Sequence, residues 1–191
     1  MKLLAISDSV DPLLYEHFHL DRWRDIDLVV SCGDLPPGYL DLLCTSLGCP
    51  VLYVRGNHDT EYTPDSYNGF FDLNGRVWNG NGLSVVGFEG SRAYNGGRLQ
   101  YTESEMRRKV SHTTRHIPKI DVVVTHAPPL GIHDGPDPCH AGFECFADLV
   151  HRHQPRYFVH GHTHMFGGAS RVSVVDSTTT INAFEHYVID L

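Results

Sequence analysis

The sequence predicts an α/β layered fold, and three features of its pattern support that prediction. Short apolar runs rich in Val, Ile and Leu recur along the 191 residues, and most are bounded by Gly, Pro, Asp or Asn. These runs are nearly continuous rather than alternating, which is typical of strands covered on both faces. Segments with helical spacing lie between several of them. The chain has no low-complexity linker, so we expect a single domain over residues 1–191.

The apolar runs predict strands along the whole chain. In order they are Lys2–Ser7, Asp27–Cys32, Pro50–Val54, Leu83–Phe88, Asp121–Thr125, Arg156–His160, Arg171–Val175, Thr179–Ala183 and His186–Leu191. The last three lie close together in the sequence, which favours an antiparallel meander near the C-terminus.

Three segments carry helix signals of different kinds. Pro36–Leu47 begins with two prolines, which suit the first turn of a helix. Thr102–His116 opens with Thr-Glu-Ser-Glu, which has the form of a capping box. Ala141–His153 places Phe143 and Phe146 on one side of a helix.

The net charge limits the kinds of partner that the protein is expected to bind. A net charge of −8 argues against extended nucleic-acid binding, because such proteins cluster Lys and Arg on one surface. The densest basic cluster, Met106–Lys109, falls on a predicted helix and is interpreted as a solvated helix face. A small phosphorylated ligand is compatible with this charge. No run approaches the length of a membrane span, so we expect no membrane partner.

The cysteines and the N-terminus indicate a cytoplasmic protein with reduced thiols. The N-terminal apolar run meets Ser7-Asp8 too soon to form a signal peptide. A zinc site built from Cys139, His140 and Cys145 is an alternative, but its spacing matches no common zinc motif. The five cysteines include no C-x-x-C pair and are Cys32, Cys44, Cys49, Cys139 and Cys145.

Polar residues able to bind metal follow five of the predicted strands. Fourteen histidines is a high count, and histidine is the commonest metal ligand. In open α/β sheets, ligands bind beyond the carboxyl ends of the strands. Mixed oxygen and imidazole donors suit Mn, Fe, Zn or Ni better than Ca. The residues at these ends are Asp8, Asp34, Asn57, His58, Asp59, His126, His162 and His164.

Two features of these strand ends favour a pair of metals. Asp34 is well placed to be a carboxylate that two ions share, and Gly33 before it lets the backbone approach closely. The alternation in His162-Thr163-His164 lets both rings reach one site from an extended backbone. Two divalent ions can activate a water molecule and stabilise the attacking and leaving oxygens of phosphoryl transfer.

The strand ends resemble the calcineurin-like metallophosphoesterase family. The resemblance rests on Asp8, Gly33-Asp34, Gly56-Asn57-His58-Asp59, Thr125-His126 and Gly161-His162-Thr163-His164, which occur in that order. It implies a four-layer αββα sandwich of two mixed β-sheets flanked by helices, with two divalent metal ions between the sheets. By the resemblance, one ion is held by Asp8, Asp34 and His164. The second is held by Asp34, Asn57, His126 and His162.

The resemblance also implies that His58 donates a proton to the leaving oxygen and that Asp59 orients it. A histidine beside a metal ligand, but one residue out of register, can face the substrate rather than the ion. The neighbouring carboxylate can then fix the tautomer of the ring. The alternative is a structural histidine that supports the ligands.

Residue 10 departs from the family pattern, which has Asp-x-His at the first strand end. This chain has Asp8-Ser9-Val10, and valine cannot bind a metal. We favour a first site whose shell is completed by water or by an oxygen of Ser9 or Asp11. The alternative is a centre that holds one ion or none tightly and has lost catalysis, since metal affinity depends on the number of ligands.

A glycine-rich segment, Gly87–Gly97, is the candidate for substrate binding. Arg92 can form a bidentate pair with phosphate oxygens, and Tyr94 or Asn95 can add hydrogen bonds. A plain surface loop is the alternative. Arg55 is either a further phosphate contact or the partner of a carboxylate.

These observations favour a metal-dependent hydrolase of a phosphomonoester or phosphodiester. The small chain has no obvious cap domain, which leaves the site open and favours a diester or a nucleotide-like substrate. The alternative is a catalytically weak or inactive binding scaffold on the same fold, and Val10 is its main support. A hydrolase of the metallo-β-lactamase type is disfavoured because the sequence has no His-x-His-x-Asp-His run.

Overall fold

Two mixed β-sheets packed face to face form the centre of the molecule, with helices on both outer sides. The computed structural model describes residues 1–60, 69–164 and 170–191. The helices are α1 (Leu20–Trp23), α2 (Pro37–Leu47), α3 (Glu103–Thr114) and α4 (Glu144–His153). The strands are β1 (Lys2–Ser7), β2 (Ile26–Ser31), β3 (Val51–Tyr53), β4 (Phe70–Asp72), β5 (Arg76–Gly80), β6 (Leu83–Phe88), β7 (Ser91–Arg92), β8 (Gln100–Tyr101), β9 (Val122–Thr125), β10 (Tyr157–His160), β11 (Val172–Val175), β12 (Thr178–Asn182) and β13 (Glu185–Asp190).

Each large sheet combines a parallel block with antiparallel strands at its edges. Sheet A has the order β13-β1-β2-β3-β4, and β13 is its antiparallel strand. Sheet B has the order β11-β12-β10-β9-β6-β5, in which β11 and β5 run antiparallel to their neighbours. Strands β7 and β8 form a separate short pair. Parallel neighbours end at the same edge of a sheet, so the loops after them lie close together.

Three apolar clusters separate four layers. The central cluster joins the two sheets and includes Val30 of sheet A and Val124 of sheet B. One outer cluster joins sheet A to α1 and α2, with Leu40 fully buried. The other joins sheet B to α3 and α4 through Met106 and Phe146. The predicted αββα sandwich of two mixed sheets is therefore confirmed. Central strands such as β1, β2, β9 and β10 are almost fully buried, as predicted, whereas β11 and β13 are partly exposed.

The predicted elements match the structure within a few residues, but the C-terminal meander is only partly correct. Strands β11 and β12 are antiparallel neighbours, as expected. Strand β13 instead leaves sheet B and pairs with β1 in sheet A, from Lys2–Asp190 to Ser7–Glu185. Because β13 follows β12 closely in the sequence, the two strands were expected to pair. Pairing with β1 instead covers an edge that sheet A would otherwise expose.

Several short elements had no clear sequence signal. Strand β4 has three half-buried residues, and β5 is a partly polar edge strand. Helix α1 has a single turn and buries only Trp23 among its four residues. Within the described ranges, no helix has the length and apolar character needed to cross a bilayer.

Candidate metal centre

Three predicted ligands from both sheets converge on one point. Asp8 follows β1, Asp34 follows β2 and His126 follows β9. One donor atom from each of these side chains lies within 4.8 Å of the other two. The sandwich therefore brings together residues that are up to 118 positions apart in the sequence.

The ring of His126 is oriented by the backbone so that one nitrogen faces this point. His126 is fully buried, and its Nδ1 lies 2.8 Å from the carbonyl oxygen of Cys32, to which it can donate. Its Nε2 lies 3.0 Å from Oδ1 of Asn57 and 3.4 Å from Oδ2 of Asp34. The amide nitrogen of Asn57 points the other way, toward the hydroxyl of Tyr94 at 3.4 Å.

This arrangement fits a cation. With Nδ1 donating to a carbonyl, a neutral His126 presents the lone pair of Nε2 to two oxygen acceptors. Three acceptors facing one another need a proton or a metal ion between them. A ligand histidine whose other nitrogen donates to a carbonyl is a common arrangement around metals.

The pKa values of His126, Asp34 and Asp8 also indicate a site that favours positive charge. Burial opposes protonation of His126, but the carboxylates of Asp34 and Asp8 outweigh it and raise its pKa to about 9. Burial also acts to raise the pKa of Asp34, yet the attraction of His126 leaves that pKa below its usual value. The pKa of Asp8 is raised, chiefly by burial. Without metal, a proton on His126 thus balances acidic charge that a divalent cation can balance instead.

His162 enters the same centre from the end of β10. Its backbone N–H donates to Oδ2 of Asp8 over 2.9 Å, and its ring centroid lies 4.7 Å from that of His126. Its Nε2 lies 2.7 Å from the carbonyl oxygen of Cys139, so a proton on Nε2 leaves Nδ1 as the basic nitrogen. Burial and the neighbouring His126 lower the pKa of His162 to about 3, which favours the neutral ring that metals bind.

His164 lies at the margin of the cluster. Its side chain is exposed, and its ring packs against Phe184 with 5.1 Å between the centroids. The described contacts thus bring together Asp8, Asp34, Asn57, His126 and His162. The role of His164 as a ligand of the first metal stays a prediction.

The backbone at the centre adopts conformations that sequence patterns did not reveal. Asp8, Asp34 and His162 have φ angles of 64°, 56° and 67°. This left-handed region is uncommon for residues other than glycine and often marks functional sites. A Cβ at Gly56 would lie 2.0 Å from Oδ1 of Asp34, and one at Gly161 would lie 2.5 Å from Oδ2 of Asp8. Only glycine leaves room there for the two carboxylates.

The predicted catalytic pair lies beside this cluster. His58 is exposed, and its backbone N–H donates to Oδ1 of Asp34 over 2.9 Å. Oδ2 of the buried Asp59 accepts from the backbone N–H groups of Asp34 and Gly56, at 2.7 and 2.8 Å. Burial and the charge of Asp34 raise the pKa of Asp59 to about 6. Asp59 thus holds two strand ends together, and its predicted role in orienting His58 stays a prediction.

The side chain of Val10 is half-buried. It lies against the apolar cluster between sheet A and its helices. Asp11, one of the oxygens considered for completing the first shell, is buried and contacts Nδ1 of His186 over 2.5 Å. Its other oxygen accepts from the backbone of Leu13 over 2.8 Å. The carboxylate of Asp11 is therefore engaged with β13 and its own turn.

The predicted substrate contacts have partners within the protein. Arg92 donates to the carbonyl oxygen of Gly142 over 3.3 Å, which ties the glycine-rich segment to the loop before α4. Asn95 accepts from the backbone N–H of Gly97 and from the side chain of Gln100. Arg55 donates to Glu89 over 2.7 Å, so the structure matches its interpretation as the partner of a carboxylate.

Two features of the structure were not fully predicted from the sequence. Glu89 is a buried carboxylate at the carboxyl end of β6, which is not among the five strand ends predicted to carry ligands. Donor atoms of Asp137, Cys139 and His140 also lie within 4.8 Å of one another. Cys145, considered for zinc with Cys139 and His140, is buried in α4, where burial raises its pKa.

Comparison with known proteins gives one family and one fold. A model of the calcineurin-like phosphoesterase family matches residues 1–166. No curated protein matches the sequence.

The solved structures that are similar to this chain share its fold at low identity. TT1561 of Thermus thermophilus is 18% identical, with a TM-score of 0.68 over 96% of this chain and 89% of that one. A novel archaeal phosphodiesterase is 14% identical, with a TM-score of 0.53 over 100% and 93%. GAP50, the anchor in the inner membrane complex of Plasmodium, is 12% identical, with a TM-score of 0.53 over 95% and 70%.

Proposed function

Because this chain belongs to the calcineurin-like phosphoesterase family, we propose that it hydrolyses a phosphoric ester at the metal centre, with a diester preferred. The observation that supports this most directly is the meeting of three acceptor atoms, on His126, Asn57 and Asp34. A site built from acceptors alone is suited to a cation, and phosphoryl transfer is a reaction that bound cations promote.

The proposed cofactors are two divalent ions, with Mn, Fe, Zn or Ni suited to the mixed donors. When bound, they supply a nucleophile at neutral pH and neutralise charge on the phosphoryl group. The residues proposed to hold them are Asp8, Asp34, Asn57, His126, His162 and His164.

The protein's own groups have distinct proposed roles. His58 is exposed at the edge of the centre, where its ring can donate a proton to the leaving oxygen. Asp59 fixes the backbone of Gly56 and Asp34, so the chain around His58 keeps its position when substrate binds. Arg92 is proposed to contact phosphate oxygens, in addition to its bond to Gly142.

The proposed partner is a small phosphorylated molecule rather than an extended nucleic acid, since the net charge is −8. A diester is preferred because the described residues form no cap domain over the site. All five cysteines are free thiols, which supports a cytoplasmic setting.

A binding scaffold without catalysis is the second candidate, and Val10 is the observation that favours it. Its side chain belongs to an apolar cluster, where the family pattern has a ligand histidine. A scaffold of this kind can keep the second metal while lacking turnover, because the first metal site has fewer ligands.

The test uses bis(p-nitrophenyl) phosphate with protein loaded with Mn, Fe, Ni, Co or Zn. We expect turnover by the wild type and a roughly 10²- to 10⁴-fold lower kcat in His58→Ala. Metal content, measured by elemental analysis, should be unchanged, because His58 is proposed as a proton donor and not a ligand. His112→Ala, which changes an exposed histidine on α3, is the matched control.

The two candidates give different results in this assay. Absence of turnover with all five metals, in the wild type and in Val10→His, would favour the scaffold. Turnover that appears only in Val10→His would mean that the missing ligand had disabled the first site. Wild-type turnover that His58→Ala leaves intact would remove His58 from the mechanism.

A further inference from the structure

An apolar cavity lies between the loop after β1 and the start of α2. Its volume is about 380 Å³, which falls within the range of small-molecule sites. Its main walls are Val10, Pro12, Tyr15, Glu16, Pro36 and Tyr39.

Two walls of this cavity are close in sequence to the proposed metal ligands. Val10 comes two residues after Asp8, and Pro36 comes two residues after Asp34. Two residues of extended chain span at most about 7 Å, so both walls begin near the carboxylates. A molecule with a phosphate at the centre and a second group a few bonds away can therefore reach the cavity.

The lining has the chemistry of a site for a flat ring. Tyr15 is 53% exposed although it is a large aromatic side chain, and it meets Tyr39 edge to face with 6.0 Å between the centroids. Pro12 and Pro36 add rigid apolar surface. Glu16 is exposed and supplies a carboxylate, which accepts hydrogen bonds but cannot donate them when ionised.

A nucleobase matches these features better than an alkyl group or a sugar. Its face stacks on aromatic side chains, and its edge carries N–H groups that a carboxylate can accept. Because valine is apolar and packs into the cluster beneath sheet A, Val10 can serve as a wall of the cavity. Val10, which stands where the family pattern has a ligand histidine, would thus also shape the substrate site.

We infer that this cavity binds the nucleobase of a nucleoside phosphoester whose phosphate lies at the metal centre. The substrate class rests on the proposed function, whereas binding of the base alone does not. Tyr15 provides the stacking face, and Glu16 accepts from the edge of the base. The cavity thereby selects nucleoside esters over esters with small alkyl groups.

Binding of the base is tested without hydrolysis. Saturation-transfer NMR is recorded on the metal-loaded protein with thymidine and with deoxyribose, neither of which carries a phosphate. We expect transfer to the base protons of thymidine, its loss in Tyr15→Ala and its retention in Leu13→Ala. Leu13 lies in the same loop and is 36% exposed, but it is not among the residues that line the cavity. Equal transfer to thymidine in Tyr15→Ala and the wild type would overturn the inference.

Selectivity is tested with two chromogenic diesters that share a leaving group. Thymidine 5′-(p-nitrophenyl phosphate) is compared with methyl p-nitrophenyl phosphate. Because stacking on one aromatic ring contributes about 1–3 kcal/mol, Tyr15→Ala should reduce the preference in kcat/KM for the thymidine ester roughly 5- to 150-fold. Tyr15→Phe should keep the preference, and thermal denaturation checks that each variant is folded.

The results separate this inference from the proposed function. Hydrolysis of both diesters without a preference for thymidine would support the phosphoesterase and reject the base site. Tyr15-dependent binding of thymidine without hydrolysis would support the base site and reject the phosphoesterase. A thymidine preference that is unchanged in Tyr15→Ala would also reject the cavity as its source.

Discussion

At the residue scale, most buried polar atoms in the described ranges have a hydrogen-bond partner. The stability that is lost when such a partner is removed can be estimated. Glu89 is only 2% exposed, yet it accepts from Arg55 over 2.7 Å and from the hydroxyl of Tyr101 over 2.5 Å. The ammonium of Lys109 lies 3.8 Å away. A buried carboxylate is stable only when donors surround it, so each donor to Glu89 matters to folding.

Tyr101, which is half-buried, and Tyr39, which is buried, provide a direct comparison. Tyr101→Phe removes a donor from a buried charge and should lower the free energy of unfolding by about 1.5–3 kcal/mol. Burial raises the pKa of Tyr39, and the backbone of Asp11 partly opposes this rise. The hydroxyl of Tyr39 nevertheless makes no well-formed hydrogen bond within the part of the chain that is described. Tyr39→Phe should therefore change stability by well under about 1 kcal/mol, or increase it.

Urea denaturation of the two variants and the wild type measures this difference. Both substitutions remove one oxygen from a mostly buried ring, so the loss of volume is matched between them. An equal loss of stability in the two variants would mean that the hydrogen bond of the Tyr101 hydroxyl to Glu89 adds nothing beyond what the Tyr39 hydroxyl contributes.

At the element scale, helix α4 begins without a capping side chain of its own. Its N-cap residue is Phe143, and Glu103 of α3 instead accepts from the backbone N–H groups of Glu144 and Cys145, at 3.1 and 2.8 Å. Glu103 also places negative charge at the N-terminus of α4, where the helix dipole favours it. Glu103 thus links α3 to the N-terminus of α4.

Substitution of Glu103 tests this cap. Glu103 and Glu144 both pair with Arg107, at 3.2 and 3.0 Å, so Glu144→Ala removes a similar surface ion pair without removing the two amide contacts. Glu103→Ala should cost about 1–2 kcal/mol more in unfolding free energy than Glu144→Ala. Thermal melts of both variants measure this, and equal melting temperatures would mean that water replaces the cap.

The same scale explains how far the elements could be predicted. Strands such as β9 and helix α3, with its capping box, have local signals and were predicted within a few residues. The partner of β13 has no local signal, because pairing with β1 joins residues that are 178 to 188 positions apart. Capping of α4 by Glu103 depends on a contact between two helices and is equally invisible in the local sequence.

Some features of the metal centre could be predicted from the sequence and others could not. Asp8, Asp34, Asn57, His126 and His162 could be predicted because side chains at strand ends leave a sequence pattern. The carbonyl groups of Cys32 and Cys139, which orient His126 and His162, could not, because every residue has a carbonyl group. The left-handed backbone at the ligands also has no composition signal, since it is imposed by the packing of strand ends.

At the scale of the whole molecule, the candidate ligands come from both sheets. Asp8, Asp34 and Asn57 follow strands of sheet A, whereas His126 and His162 follow strands of sheet B. A metal bound among them therefore links the two halves of the sandwich. Because the unfolded chain does not hold these residues together, binding stabilises the folded state by mass action.

Addition of metal should consequently raise the melting temperature. At a free metal concentration of 100 times Kd, the stabilisation is about 2.7 kcal/mol, which corresponds to a rise of about 5–10 °C for a chain of this size. Differential scanning fluorimetry with Mn²⁺, and again after chelation, measures the shift. The effect requires no turnover, so it reports on the centre whether the protein is an enzyme or a scaffold.

Substitution of His126 determines whether that rise belongs to the proposed centre. Its buried Nε2 faces Asn57 and Asp34, so His126→Ala removes one ligand and leaves the two oxygens facing a gap. The melting temperature without metal should fall, and the increase on adding Mn²⁺ should shrink to less than half of the wild-type value. His112→Ala, on the exposed face of α3, should keep the full increase. An undiminished increase in His126→Ala would place the stabilising metal elsewhere, with the group of Asp137, Cys139 and His140 as the next site to test.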